Sequence, residues 1–114
     1  MSEVYTVNLE FGRPTVRDAL HHLDISISGA KAQRIKVLKL IHGYGSTGVG
    51  GKIKLEILKE LKFKKSRNII KDYIEGEKFS PFDERVQKNI SAYPEMLKDK
   101  DYARMNYGIT IVLI

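Results

Sequence analysis

Residues 4–10 (V-Y-T-V-N-L-E) alternate apolar and polar positions with β-branched and aromatic side chains, which predicts a half-buried strand. Val16, Ala19, Leu20, Leu23 and Ile27 then recur at helical spacing, predicting a helix that ends near Gly29. Thr15, with Asp18 three residues on, forms a capping box, and Pro14 stops the helix from extending backwards. Residues 35–41 (I-K-V-L-K-L-I) predict a second strand that runs into the glycine-rich stretch 42–48. Ser46 or Thr47 can cap the next helix, whose inward positions are Ile53, Ile57, Leu58 and Leu61 and which ends before Lys64. A third strand is expected over residues 68–74. Ser80 followed by Pro81 predicts a third helix with a stripe of Val86, Ile90 and Tyr93, closed by Pro94. The run 109–114 is apolar apart from Thr110, as suits a central strand covered on both faces.

Strands and helices therefore alternate as β-α-β-α-β-(α)-β. That order predicts the α/β (α+β) class: a two-layer sandwich on a roughly four-stranded mixed sheet, as one domain over residues 1–114. In such sheets ligands gather where strands lead into helices, here residues 8–12 and 42–48.

Charge adds the next constraint. The 20 Lys and Arg exceed the 14 Asp and Glu by six, which favours phosphate-rich partners. The excess is segregated. From residue 52 to 67 seven basic residues face two acids, a local +5, whereas residues 72–84 hold five acids and one lysine, a local −4. Cysteine is absent, which excludes disulfides, thiolate catalysis and Cys-ligated metals. The start of the chain does not read as a signal peptide and no apolar run is long enough to span a bilayer, so a cytoplasmic protein with no membrane partner is expected.

The stretch Gly43, Tyr44, Gly45, Ser46, Thr47, Gly48 satisfies G-x-G-x-x-G between a strand and a helix. Three chemistries compete for it. A dinucleotide site needs a longer chain and a ribose-binding acid about 20 residues on, whereas Glu75 lies about 30 beyond Gly45. A P-loop needs glycine where Ser46 stands and Ser or Thr where Ile53 stands. A nucleic-acid phosphate site fits the glycine loop, the lysine cluster and an aromatic, Tyr44, at the loop tip. The plainer alternative is a tight turn beside a solvated lysine face.

Residues 40–48 (L-I-H-G-Y-G-S-T-G), followed by an amphipathic helix, resemble the H-G-x-G-x-G signature of Smr (small MutS-related) domains. Val7, Asn8, Leu9 and Glu10, then residues 15–20 (T-V-R-D-A-L), are similar to that family's first motif, L-D-L-H-G leading into T-V-x-x-A-L. Residues 106–113 resemble its closing G-x-T-x-V-x-L strand. The likeness spans roughly residues 4–75 and 106–114, so residues 76–105, with their extra helix, read as an insertion. It implies a sandwich like the C-terminal domain of translation initiation factor 3. It also implies binding of DNA or RNA, with the ribosome among the partners of some members and nicking or endonuclease activity in several. His42, Gly43 and Gly45 match the family's loop. The family's Asp is Asn8 here and its His is Glu10.

His42, which the resemblance favours, and Glu10, a carboxylate at the end of the first strand that could serve as a base if it lies beside His42, are the catalytic candidates, as an acid and base pair in phosphodiester hydrolysis, with a divalent metal as an open option. The alternatives are a histidine that bonds its own loop backbone and an exposed strand-end carboxylate. Asn8 can orient a group but cannot relay a proton. The nucleic-acid candidates are Gly43, Tyr44, Gly45, Ser46, Thr47, Gly48, Lys52 and Lys54, with Arg13 and Arg17 flanking the first loop. His21 and His22 are neighbours on a helix and do not share a face, so they make a poor metal site. Tyr73, Phe79 and Phe82 are read as packing residues. A non-catalytic nucleic-acid or ribosome-binding module and a small nucleotide-binding protein are the alternatives to an enzyme.

Overall fold

In a computed structural model the chain is described over residues 4–44 and 49–114. Its strands are β1 (Val4–Asn8), β2 (Val37–Ile41), β3 (Asp72–Glu75) and β4 (Ile109–Leu113), and its helices α1 (Val16–Ala32), α2 (Val49–Ser66) and α3 (Glu84–Asn89). Short 3-10 turns occupy Gly76–Lys78 and Pro94–Lys98. The mixed sheet has the order β1-β2-β4-β3. β1 and β2 are parallel, and β4 runs antiparallel to both β2 and β3. One end of the sheet therefore gathers the carboxyl ends of β1, β2 and β3 and the amino end of β4.

Helix α1 starts as its sequence dictates: the Thr15 hydroxyl accepts from the Asp18 N–H at 3.1 Å. It runs past Gly29 because Ala30 continues the buried stripe of Ala19, Leu23 and Ile27. These residues pack with Ile53, Ile57 and Leu61 of α2 over Leu38, Leu40 and Val112 of the sheet. Helix α2 extends to Ser66, further than expected, and the turn beyond it puts Asn68 at φ +60 with the Ile69 N–H bonded to the Lys64 carbonyl. That turn delays β3 to Asp72.

Residues 76–105 cover the opposite face, so the sandwich carries a thin third layer. Phe79, Val86, Tyr93 and Met96 bury Val37, Ile74, Ile111 and Leu113, and every position of β4 is buried. Within this segment the helix begins at Glu84 instead of Ser80, because Asp83 both accepts from the Arg85 N–H at 2.8 Å and binds its guanidinium. Pro94 opens a 3-10 turn instead of closing a helix, since its fixed φ suits a first helical position. Phe82, read as a packing residue, is exposed. No described helix is long and apolar enough to cross a membrane.

The segment is fixed to the sheet by charge as well as by packing. Lys39, mid-strand in β2 and buried, reaches Asp99 at 3.0 Å and also pairs with Asp101. Burial disfavours its ammonium, but Asp101 and Asp99 outweigh that and raise its pKa. Lys39→Met is expected to cost about 3–5 kcal/mol, because it leaves two carboxylates buried without their cation. Chemical denaturation checks this, and a loss under 1 kcal/mol (on the order of a surface pair) would contradict it.

Candidate functional site at the glycine loop

The first loop is shaped by its own side chains. Asn8 Oδ1 accepts from the Glu10 N–H at 3.0 Å, a turn for which an uncharged amide oxygen suffices. The Leu9 N–H continues the β1–β2 ladder to the Ile41 carbonyl at 2.8 Å. Gly12 and Arg13, at φ +78 and +53, then swing the chain into α1.

Parallel pairing sets Glu10 beside Gly43. Gly43 has φ +70, and a Cβ there would collide with Glu10 Oε2. Two demands thus select glycine: a left-handed backbone and a carboxylate lying against its Cα. On the other side, the N–H groups of His42 and Gly43 both donate to the Gly108 carbonyl at 3.0 Å.

His42 is fully enclosed, at 0% exposure. Its Nδ1 lies 2.6 Å from the Gly43 carbonyl and its Nε2 lies 2.8 Å from the Thr110 hydroxyl. A carbonyl only accepts, so Nδ1 carries the proton and Nε2 accepts from Thr110. Burial, against the opposing hydrogen bond to Gly43 and aided by the charge of Lys54, lowers the imidazole's pKa below its ordinary 6.5. The ring is neutral, with both nitrogens engaged. These are the contacts that the loop-setting alternative expects. Glu10 and His42 both meet Gly43, yet no hydrogen bond joins them; the carboxylate is exposed and the imidazole is not.

Lys54, expected to face phosphate, is committed to the protein. Its ammonium binds both oxygens of Glu77 at 2.9 Å and the Tyr107 carbonyl at 2.9 Å, leaving the side chain 12% exposed. It also lies 5.2 Å from the centre of the Tyr107 ring, which packs against Tyr44 at 5.9 Å between centroids. Gly76 lets this turn close, since a Cβ there would overlap the Asn106 carbonyl.

Of the other candidates, Arg13, Arg17, Tyr44 and Lys52 are exposed at this end of the sheet. Gly45, Ser46, Thr47 and Gly48 lie outside the described residues. Among the described residues no group of three or more His, Cys, Asp and Glu side chains is placed to hold a metal; His21 and His22 are exposed on α1. Sequence reasoning missed Phe11 and Tyr107 as exposed rings and Thr110 as the partner of His42. For Thr110 a signal existed, because a polar residue inside an apolar strand implies a buried partner.

A histidine held neutral makes stability depend on pH. The unfolded chain binds the proton near pH 6.5 and the folded chain only below that value, so this contribution is complete above 6.5 and is lost as pH falls through the lowered folded pKa. Thermal melts from pH 8 to 5 are expected to show the loss (roughly within the ordinary histidine range), and His42→Asn to reduce it. An unchanged profile in the variant would contradict the assignment.

No family model matches the chain, and no curated protein matches it. Among solved structures it is similar to the Smr domain of MutS2 from Thermus thermophilus, at 20% identity, a TM-score of 0.60, and coverage of 96% of this chain and 96% of that one. The near-complete overlap is a likeness of fold: this chain has an Smr-like fold.

Proposed function

We propose that the domain binds nucleic acid, DNA or RNA, at the sheet end formed by the loops after β1 and β2. The observation that carries this reading is the convergence there of exposed Arg13, Arg17 and Lys52 with exposed aromatic rings, on a chain of net charge +6. Arg13 and Arg17 stand at the entry to α1 and Lys52 in the first turn of α2, so cations flank the glycine loop on two sides. Ribosomal RNA is one partner such a surface suits. His42 acts as a positioning residue that holds the Gly43 backbone at the start of the loop.

Each phosphate neutralised releases counterions, so log affinity is expected to fall against log salt with a slope of about −2 to −3 for these three cations. Arg13→Ala, Arg17→Ala and Lys52→Ala are each expected to flatten that slope by about one. Affinity independent of salt would end this reading.

A second reading is phosphodiester hydrolysis, favoured by one observation: the exposed Glu10 carboxylate is held against Gly43 at the mouth of the loop. As a general base it would take a proton from water as the water oxygen bonds phosphorus and the ester oxygen leaves, protonated by solvent. Nicking of supercoiled plasmid and cleavage of RNA test it, with and without a divalent ion. Glu10→Gln is expected to lower either activity by about 100-fold or more while leaving binding intact. Equal cleavage by both proteins would contradict it.

A further inference from the structure

Three aromatic rings stand exposed where the loops converge: Phe11 at 85%, Tyr44 at 62% and Tyr107 at 44%. Burying such rings is ordinarily favourable, so a cluster left in water at the mouth of a charged site has a surface to offer a ligand. Two of the rings are held in place. Tyr44 and Tyr107 pack on each other, Lys54 sits beside the Tyr107 ring and binds its carbonyl, and Tyr44 also lies close to Gly108. Phe11 follows Glu10, whose carboxylate touches Gly43, so its loop borders theirs.

Charge is arranged around these rings in a pattern. The centre holds the Glu10 carboxylate, which repels phosphate, while Lys54 beneath Tyr107 is neutralised by Glu77. The exposed cations, Arg13, Arg17 and Lys52, stand beside the loops, at the starts of α1 and α2. A polyanion crossing this surface is favoured to lay its phosphates on the flanks and its uncharged bases on the middle. A duplex cannot do so, because its base faces are hidden in its own stack.

We propose that the ligand is a single strand, with unpaired bases stacked on Phe11, Tyr44 and Tyr107 while Arg13, Arg17 and Lys52 hold its backbone. This rests on the nucleic-acid reading above and narrows it to unpaired substrate.

The test is fluorescence anisotropy with a labelled strand of about 12 nucleotides, as DNA and as RNA, beside the same sequence as a duplex. Either single strand is expected to bind at least about tenfold more tightly than its duplex, and the stronger of the two assigns the sugar. Phe11→Ala and Tyr44→Ser are expected to weaken single-strand binding by about 5- to 100-fold each and leave duplex binding unchanged, with Tyr44→Phe restoring it. The chain has six tyrosines and no tryptophan, so its intrinsic emission reports on these rings. That emission is expected to be quenched by the strand, and less so in Tyr44→Phe. Equal affinity for strand and duplex with silent aromatic variants would overturn this inference and leave nucleic-acid binding standing. Binding of neither would overturn both.

Discussion

The buried imidazole of His42 is the constraint on which this end of the molecule depends. Through Nδ1 it fixes the Gly43 carbonyl, and through Nε2 it reaches Thr110 on β4. Together with two backbone donors shared by the Gly108 carbonyl, these bonds tie the end of β2 to the start of β4. Gly43 is then obliged to face Glu10, which places one carboxylate and not two titratable groups at the mouth of the loop. A histidine at the end of a strand beside glycines invites a catalytic role, but here the ring is enclosed and both its nitrogens are hydrogen-bonded within the protein. Bonds of this kind, made away from water, order the backbone around them.

Net charge alone is a poor guide to where a polyanion would bind, because much of it is consumed internally. Within residues 52–67, Lys54 pairs with Glu77, Lys59 with Glu56, Lys64 with Asp24 and Glu60, and Lys65 with Asp72. No described ion pair involves Lys52, Lys62 or Arg67. The local excess of basic residues therefore holds α2 to its neighbours as much as it decorates a surface. What remains for a ligand is the smaller group at the helix starts, which the parallel arrangement of β1 and β2 brings together.

The elements that packing dictates were legible in the sequence: the α1 stripe, its Thr15 cap, the β4 run that is apolar apart from Thr110, and the glycine loop between β2 and α2. Their boundaries moved where side chains compete with backbone, as Asn8 does at the end of β1 and Asp83 does at the start of α3. Long-range pairs were not legible. Nothing local in the sequence joins Lys39 to Asp99 and Asp101, or Lys54 to Glu77, and these pairs decide which cations reach solvent. The exposed rings escaped notice for the same reason: an aromatic residue reads as core until the fold leaves it outside, as it does Phe11 and Tyr107.

A heteronuclear NMR titration with a short single strand tests the central claim most directly, since it reads the ligand surface and the His42 ring together. The account predicts shifts concentrated at Phe11, Arg13, Tyr44, Lys52 and Tyr107, with His42 keeping its neutral, Nδ1-protonated form throughout. Shifts confined to the opposite end of the sheet, or a His42 ring that titrates like an exposed imidazole, would contradict it.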